Sequence, residues 1–331
     1  MASIKDVAEM AHVGIGTVSR VLSGNGYVSA ETRKTVQAAI EALDYSPNET
    51  ARCLSRCRTG IVGLVIPDIS HPFFSLAAKH IEIELYNAGY KTLICNTIRK
   101  SNREKEFLEM LRCRVMDGII MGSHTLDLTE YRKIKEPIVA FDRIVSADIP
   151  CVAADHKKGG KLAAEKLLSN GCRSVLQFTG THKVRTPSAD RHTVFADVME
   201  KSGCRVETVE LPWNEFDFTE TARIAARIME ARSDIDGIFS SDLVSIACIN
   251  VLHERHKRVP QDVKVIGYDG TLLADAFLPR LTTIVQPLPL IAEKLVSVML
   301  NRIQNRTQPI APENMLTLAD VYLREGNTTL P

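Results

Sequence analysis

Polar side chains follow several apolar runs in the later part of the chain, and their types suit the binding of a small polyhydroxylated molecule. The runs and the residues that follow them are Ile61–Ile66 with His71 and Phe73, Gly237–Phe239 with Ser241 and Asp242, and Val263–Ile266 with Asp269. Carboxylates that face one ligand supply fixed hydrogen-bond acceptors. Phe73 offers a face on which a sugar ring or a base can stack. The alternative for each polar residue is a surface salt bridge or a helix cap.

The chain carries no sequence motif of catalysis or of nucleotide binding. It contains no GxGxxG opening a helix after a strand, no GxxxxGK[ST], no GxSxG and no HExxH. Its eight cysteines form no CxxC, and none lies near a His with zinc-ligand spacing. Cys53 and Cys57 are four residues apart, so either a redox pair on one helix face or chance explains their spacing. We therefore expect a protein that is not an enzyme and has neither a cofactor nor a metal ion.

From Ile61 onward, strand-like and helix-like segments alternate, which is typical of a parallel α/β sheet. The expected strands are Ile61–Ile66, Thr92–Cys95, Gly118–Met121, Ile138–Phe141, Val175–Phe178, Gly237–Phe239 and Val263–Ile266. The expected helices include Leu76–Asn87, Arg103–Arg112, Gly160–Leu168, Thr219–Ala231 and Val244–Glu254. Two such units fit this length better than one. Ligands of open sheets of this kind bind beyond the carboxyl ends of the strands, so the polar residues above are expected at a shared cleft.

The first part of the chain has a different pattern, that of three short helices. Apolar residues from Ile4 to Ala11 recur at helical spacing, and a second stripe predicts a helix over Ile15–Ser23. The short turn between them makes this pair a candidate helix-turn-helix. Ser29 can cap a third helix, whose inward face would carry Val36, Ile40 and Leu43.

Composition places the chain among ordinary globular proteins. It has 331 residues, of which 45% are hydrophobic and 24% charged, and its net charge is only +1. No stretch approaches the roughly 20 apolar residues that span a bilayer. The N-terminus becomes charged at Lys5 and Asp6 without an apolar segment, so we expect a cytoplasmic protein. Net charge alone does not predict a nucleic-acid partner, and any such surface depends on where the charges point.

Three sequence blocks in the first sixty residues resemble the lactose/galactose repressor family of bacterial transcription regulators. The blocks are Ile4-x-Asp6-Val7-Ala8-x-x-Ala11, Thr17-Val18-Ser19-Arg20-Val21-Leu22 and Tyr45-x-Pro47-Asn48-x-x-Ala51-Arg52-x-Leu54. The resemblance implies that the second helix enters the major groove of DNA. Ile15 and Gly16 would then face base edges, Thr17 and Ser19 phosphates, and Arg20 either a guanine or a phosphate. His12 and Gly14 depart from the usual Gly of the turn and Ser of the helix cap, and Gly16 lacks a base-reading side chain.

Residues 46–59 match the family's hinge helix and linker. Asn48 can cap this helix, Ala51 and Arg52 match its following positions, and Leu54 matches the residue that wedges between base steps in the minor groove. One such helix is marginal in water by itself. The resemblance therefore implies that it orders only on DNA, beside its copy from a second subunit.

The body resembles the same family and, through it, the periplasmic sugar-binding proteins. The matching blocks include Val65-Ile66-Pro67-Asp68-Ile69-Ser70-His71-Pro72-Phe73-Phe74, Asp155-His156-x-x-Gly159-Gly160, Ile266-Gly267-Tyr268-Asp269 and Leu281-Thr282-Thr283-Ile284-x-Gln286-Pro287. The implied fold is a small all-α head, over residues 1–45, and a core of two doubly wound parallel-sheet lobes, over residues 60–331. We place the lobe crossings near residues 157, 285 and 316, so that the N-lobe comprises about 60–157 and 286–315 and the C-lobe about 158–285 and 316–331.

The resemblance also implies an effector site between the lobes. The residues that we expect there are His71, Phe73, Asp155, Asp190, Arg191, Phe218, Ser241, Asp242 and Asp269. Departures from the family pattern lie at Ser241 and His156, where Asn is usual, and at Val194, where Gly is usual. A sugar or sugar phosphate is expected because most relatives sense one; a nucleobase or a phosphoprotein corepressor is the alternative.

The resulting hypothesis is a homodimeric repressor that binds a pseudo-palindromic operator under the control of a small effector. A transport binding protein would share the body, but it would have a signal peptide and no helical head. An enzyme acting on sugars would need a nucleophile, metal or cofactor motif. The effector's identity, the sign of its control and the operator sequence do not follow from the sequence.

Overall fold

The computed structural model describes residues 2–24, 26–46, 58–97, 101–123, 131, 134–180, 186–212, 217–232, 234–306, 308 and 310–329. The chain divides into two compact units, a head over Met1–Thr59 and a body over Gly60–Pro331. Among the described residues, no helix combines the length and apolar character that crossing a bilayer requires.

The head contains three helices, α1 (Ile4–Met10), α2 (Ile15–Ser23) and α3 (Ala30–Ala42). Its core consists of Val7, Ala8, Ala11, Val18, Val21, Val36 and Ala39. The predicted caps of α2 and α3 are present: Gly14 is the N-cap of α2, and the Ser29 side chain accepts from the Thr32 amide at 3.2 Å. The structure adds a reciprocal cap of α1 by Ser3 and Asp6. The predicted helix-turn-helix arrangement is confirmed.

The N-lobe of the body is built on a parallel sheet of six strands, β1 (Ile61–Ile66), β2 (Lys91–Asn96), β3 (Gly118–Met121), β4 (Ile138–Phe141), β5 (Cys151–Ala154) and β11 (Leu316–Ala319). Their order in the sheet is β11-β5-β4-β3-β1-β2. Alternate residues of these strands pack in opposite directions: one face lies against α4 (Pro72–Asn87) and α11 (Leu288–Gln304), the other against α5 (Ser101–Arg112). Burial on both faces explains why the central strands are continuous apolar runs.

The C-lobe has a second sheet of six strands, β6 (Ser174–Thr179), β7 (Arg205–Glu210), β8 (Gly237–Phe239), β9 (Lys264–Asp269), β10 (Thr282–Val285) and β12 (Tyr322–Arg324). Their order is β12-β10-β9-β8-β6-β7, and the only antiparallel pair among the described strands is β10 with β12. Its helices are α6 (His156–Ser169), α7 (Asp190–Lys201), α8 (Phe218–Ala231), α9 (Asp242–Glu254) and α10 (Leu272–Ala276). Helices cover both faces, so the predicted pair of doubly wound lobes is confirmed.

The chain passes between the lobe sheets three times. It leaves the N-lobe sheet after Ala154, returns between Val285 and Leu288, and leaves it again between Ala319 and Tyr322. The predicted third crossing near residue 316 is wrong, because Leu316–Ala319 pairs in parallel with Cys151–Ala154 and so belongs to the N-lobe. Two of the four residues of this strand, Leu316 and Leu318, are exposed, and the short sequence LTLA does not by itself predict a strand. Only its pairing with Cys151–Ala154 reveals it.

Candidate functional sites

The exposed surface of α2 carries the residues predicted to read DNA. Ile15, Gly16, Ser19 and Arg20 are exposed, and Thr17 is half-buried. Val18 and Val21 point into the head core, so the spacing of the helix turns the other side chains outward. A methyl group added at Gly16 would contact no atom of the protein within 4 Å. The start of α2 is therefore open to a macromolecular partner, with Ile15 45% exposed.

Tyr27 is a candidate contact that sequence reasoning missed. Its side chain is 91% exposed, the largest exposure among the large hydrophobic side chains described. It lines one shallow groove with Thr17, Arg20 and Ser29, while the stem of Arg20 lies beside Gly26. Its place directly after the turn-like Gly24-Asn25-Gly26, close to the predicted contact Arg20, is the sequence signal that could have identified it.

The predicted hinge contacts Asn48, Ala51, Arg52 and Leu54 lie outside the described residues, as do Cys53 and Cys57. Their assignment stays a prediction.

The body contains a cavity of about 200 Å³ where the carboxyl ends of strands from both lobes meet. The N-lobe contributes His71, Phe73, Phe74, Asp142 and Arg143, the C-lobe contributes Arg191, His192, Ser241 and Asp269, and the second crossing contributes Gln286. Because one ordered water needs only about 10–15 Å³ on this measure, the cavity has room for a small polar molecule. Five of the predicted effector residues, His71, Phe73, Arg191, Ser241 and Asp269, thus lie around a single space.

On the N-lobe side, His71 and the two phenylalanines form one wall. His71 is the N-cap of α4, and its Nδ1 accepts from the Phe73 amide at 3.3 Å. Burial lowers the pKa of His71 to about 4, and the positive charge of Arg191 acts in the same direction. The Phe73 ring stacks on Phe141 at 6.0 Å and meets Phe74 edge-on at 5.3 Å. The wall is therefore aromatic and carries a neutral imidazole near physiological pH.

Arg143 brings a guanidinium to the same wall. Its Nε donates to the Gly122 carbonyl oxygen at 2.8 Å, and the side chain is buried. Burial lowers the pKa of this group, while the carboxylates of Asp142 and Glu104 raise it. Sequence reasoning missed Asp142 and Arg143, although they directly follow the predicted strand Ile138–Phe141, and that position is the signal that could have identified them.

On the C-lobe side, Arg191 and Asp269 face each other. Arg191 Nη1 lies 3.6 Å from Asp269 Oδ1, and the guanidinium carbon lies 4.3 Å from the centre of the Tyr268 ring. Gln286 Nε2 donates to the same carboxylate oxygen at 2.9 Å. Gln286 Oε1 is buried and has no hydrogen-bond partner among the described residues. The three residues thus present a fixed guanidinium on Arg191, a fixed carboxylate on Asp269 and an amide oxygen on Gln286 that can accept a hydrogen bond.

Asp269 is held in a costly conformation. Its φ angle is 121°, which non-glycine residues rarely adopt, and it is followed by Gly270 at 71°. Burial raises the pKa of Asp269, and Arg191 opposes that shift. A buried carboxylate on a strained backbone persists only where surrounding contacts fix it, and such residues concentrate at functional sites.

Four predicted effector residues lie off the cavity lining. Asp155 is the N-cap of α6 and accepts from the Lys158 amide at 3.0 Å, so it caps a helix. Asp190 points outward, with its side chain 50% exposed and 3.9 Å from Lys157 Nζ. Phe218 begins α8 on the surface, 37% exposed. Asp155 therefore caps a helix, and Asp190 and Phe218 lie at the surface, as the alternative to an effector contact predicts.

Asp242 is fully buried rather than exposed to the cavity. Its Oδ2 accepts from the amide of Thr271 at 2.7 Å and from the hydroxyl of the same residue at 2.9 Å, and its Oδ1 accepts from the Thr283 hydroxyl at 2.6 Å. Burial and the charge of Asp269 raise its pKa. Asp242 therefore fixes the segment after β9, next to the site, and does not line it.

Comparisons with known proteins agree with this two-part architecture. Residues 3–48 match bacterial regulatory proteins of the lacI family, and residues 164–325 match a periplasmic binding protein-like domain. The sucrose operon repressor of Streptococcus mutans serotype c is 36% identical over 326 residues, covering 96% of this chain and 98% of that protein. The ribose operon repressor of Halalkalibacterium halodurans is 38% identical over 289 residues, covering 87% and 86%, respectively.

Solved structures show the same fold. A periplasmic binding protein/LacI transcriptional regulator from Alkaliphilus metalliredigens QYMF, complexed with D-xylulofuranose, is 28% identical with a TM-score of 0.75 and covers 82% of this chain and 100% of its own. The lac repressor dimer bound to operator and the anti-inducer ONPF has a TM-score of 0.86 at 22% identity, covering 100% of this chain and 99% of its own. From its head, its two-lobed body and these relatives, the chain belongs to the lacI family of bacterial regulatory proteins.

Proposed function

We propose that this protein is a homodimeric, sequence-specific repressor of a carbohydrate-utilisation operon, and that an uncharged monosaccharide in the cleft controls its operator affinity. The family comprises transcriptional repressors, not enzymes. The observation that carries the proposal is the convergence of Arg143, Arg191, Asp269 and Gln286 with the Phe73 and Phe74 side chains around one small cavity. With operator DNA as its partner, the protein would act in the cytoplasm.

The relatives support a sugar as the effector. Those named above are repressors of sucrose and ribose operons, and the structure from Alkaliphilus metalliredigens holds D-xylulofuranose. A sugar presents hydroxyl groups that both donate and accept, together with an apolar ring face. Fixed guanidinium donors, the Asp269 carboxylate and the aromatic wall can meet all three features.

The charges around the cavity favour an uncharged sugar over a sugar phosphate. The two guanidinium groups, of Arg143 and Arg191, are balanced by the carboxylates of Asp142 and Asp269, and the buried Glu104 carboxylate also acts on Arg143. A phosphate brings about −1.5 to −2 charges near neutral pH and would need net positive charge to replace its hydration. Gln286 Oε1 instead suits a hydroxyl donor.

The DNA-binding part of the proposal rests on the exposed start of α2. Ile15 can contact a thymine methyl group and Arg20 a guanine, while Thr17 and Ser19 can bind phosphates. The linker residues Asn48, Ala51, Arg52 and Leu54 complete the proposed contacts. A dimer would place two heads on related half-sites, so the operator should be roughly palindromic.

Titration calorimetry tests the effector and should use D-ribose, D-xylulose, sucrose, D-ribose 5-phosphate and adenine. An uncharged monosaccharide should bind the full-length protein, and the phosphate ester should bind at least tenfold more weakly. Asp269→Asn should abolish that binding. Asp155→Asn is the matched control, because Asn preserves the helix cap and the residue lies off the cavity. Preference for the phosphate ester or for adenine would reject the uncharged-sugar assignment.

Selection of bound duplexes from a random pool, with and without the sugar that binds, tests repression. A shared, roughly palindromic sequence whose recovery changes with the sugar is the expected result. Failure to bind any duplex at low salt would overturn the proposal.

A further inference from the structure

Two buried side chains, His156 and Tyr268, and the half-buried Asp142 form a hydrogen-bonded chain between the lobes, which we call the interlobe latch. His156 Nε2 lies 2.6 Å from Asp142 Oδ1, and His156 Nδ1 lies 2.9 Å from the Tyr268 hydroxyl oxygen. Asp142 follows β4 of the N-lobe sheet, whereas Tyr268 lies on β9 of the C-lobe sheet and His156 begins α6. The bond between Asp142 and His156 therefore spans the two lobes.

One end of the latch lines the cavity, and the other contacts a residue that lines it. Asp142 lines its N-lobe side, and the Tyr268 ring supports the guanidinium of Arg191, which lines its C-lobe side. Arg191 in turn faces Asp269 at 3.6 Å. A movement of Asp142 relative to Tyr268 would therefore also move Asp142 relative to Arg191, and both of these residues line the cavity.

The packing around the latch leaves little freedom. His156 is 3% exposed and Tyr268 is fully buried, and their rings stack at 5.6 Å with an interplanar angle of 27°. A methyl group on Gly159 would lie 2.5 Å from the Tyr268 hydroxyl oxygen, so α6 lies directly against that ring. Stacking on Tyr268 therefore fixes the orientation of the imidazole relative to the C-lobe sheet.

One arrangement of protons satisfies every group of the latch. The Tyr268 hydroxyl donates to Nδ1, and the Nε2 proton is donated to Asp142. Separating the lobes would leave the buried imidazole without its carboxylate acceptor, which disfavours the open arrangement. Within the C-lobe, the bond from His156 to Tyr268 would persist.

We propose that His156 is a positioning residue whose bond to Asp142 couples effector binding to closure of the lobes. The coupling rests on the proposed effector function. A sugar that contacts Asp142 and Arg191 binds the closed arrangement, and the latch raises the population of that arrangement and slows sugar release. A ligand shifts a two-state equilibrium only by the difference between its affinities for the two states. A weaker latch therefore lowers the fraction of closed protein at a given sugar concentration.

Two variants separate the latch from general packing. His156→Phe removes both hydrogen bonds but keeps an aromatic ring against Tyr268. Tyr268→Phe removes only the hydroxyl and keeps the ring under Arg191. His253→Phe, at an exposed histidine of the same lobe, is the matched control. In the sugar-free, full-length protein, amide hydrogen exchange around Asp142 and Asp269 should be faster in both test variants and unchanged in the control.

Stopped-flow measurements with D-ribose give the second readout. His156→Phe should accelerate D-ribose release about tenfold with an unchanged association rate, as expected for one lost hydrogen bond to a charged group. The double variant should lose little beyond His156→Phe, because both substitutions interrupt one chain. A purely structural role would raise exchange throughout the C-lobe rather than at the cleft.

The coupling is refuted if cleft exchange in both variants equals that of the unchanged protein, if exchange rises uniformly across the lobe, or if the two substitutions act additively. Should the unchanged protein fail to bind D-ribose, the effector assignment would fail for this sugar. Amide exchange in the sugar-free protein would still decide whether the latch holds the lobes together.

Discussion

The surface of α2 and the cleft between the lobes use opposite physical strategies. In the described part of the head every buried side chain is apolar, and the predicted DNA contacts Ile15, Gly16, Ser19 and Arg20 are exposed. The cleft buries its polar groups: His71, Arg143, His192, Asp269 and Gln286 are all at most 9% exposed. The residues of an exposed surface stay hydrated until a charged, hydrated polymer binds them. A buried, preorganised cluster suits a small ligand that must be recognised group by group.

Arg191→Ala should give the largest separation between the two regions. The substitution leaves the Asp269 carboxylate buried without its guanidinium partner, so sugar affinity should fall by about 2–5 kcal/mol. DNA affinity in the absence of sugar should stay within a factor of two of the unchanged protein. Calorimetry and gel shift provide the two readouts. Arg205→Ala, at an exposed ion pair of the same lobe, is the control and should alter neither. Equal losses of sugar and DNA affinity would break the comparison.

Acid should act on the cleft through His71. Its pKa is about 4 in the folded protein and near 6.5 when unfolded, so protons bind preferentially to the unfolded chain between these values. His71 therefore contributes stability that is present above about pH 6.5 and is lost as the pH falls towards 4, amounting to about 3 kcal/mol.

The variant His71→Asn isolates this effect, because Asn can also cap α4. As pH falls from 6.5 to 4, the melting temperature of the unchanged protein should fall more than that of the variant. The raised pKa values of Asp242 and Asp269 give the opposite slope, in which stability is lost as pH rises, and this slope is common to both proteins. A difference independent of pH would show that His71 is not held neutral by the fold.

Arg20→Ala should act only on the head. Loss of a bidentate contact to guanine should cost about 1–3 kcal/mol at the preferred operator and relax the preference at one base pair. Sugar affinity should not change. Binding to operator and to unrelated duplexes should be compared across salt concentrations. A uniform loss with a shallower salt dependence would assign Arg20 to a phosphate instead.

Gly16→Ala should have the smallest effect. A methyl group there meets no other atom within 4 Å, and Gly16 is the second residue of α2, so the gain in helix propensity should be smaller than the roughly 0.5–1 kcal/mol of a mid-helix position. Thermal unfolding of the head, followed by far-ultraviolet circular dichroism, measures this. Reduced operator affinity alongside a more stable head would show that DNA approaches the α2 backbone closely at this position.

Sequence reasoning succeeded where one continuous segment contains the information. The boundaries of α2 and the caps Gly14 and Ser29 follow from local spacing and capping chemistry. The central strands β1, β3, β4 and β8 coincide with apolar runs because both of their faces are buried. The edge strand β7 went unrecognised, since its sequence RVETVE has exposed positions and little continuous apolar character.

The cleft was predicted less completely, because a residue's place after a strand does not fix the direction of its side chain. Asp269 ends one C-lobe strand and Asp242 follows another, yet only Asp269 lines the cavity. Asp242 instead accepts hydrogen bonds from Thr271 and Thr283 in the interior. Arg143 and Gln286 were missed although both come within two residues of a strand end, because that position does not show which side chains turn into the cleft.

By itself the sequence determined the division into head and body, the helix-turn-helix, the doubly wound character of the lobes and membership of a regulator family. These properties depend on periodicity, capping and ordered motifs, which are local or linear. Tertiary structure alone decided which polar groups share the cleft, where the third crossing falls and that Asp142, His156 and Tyr268 meet. Residues 112 positions apart, such as His156 and Tyr268, form a hydrogen bond only because the sheet order brings α6 against β9.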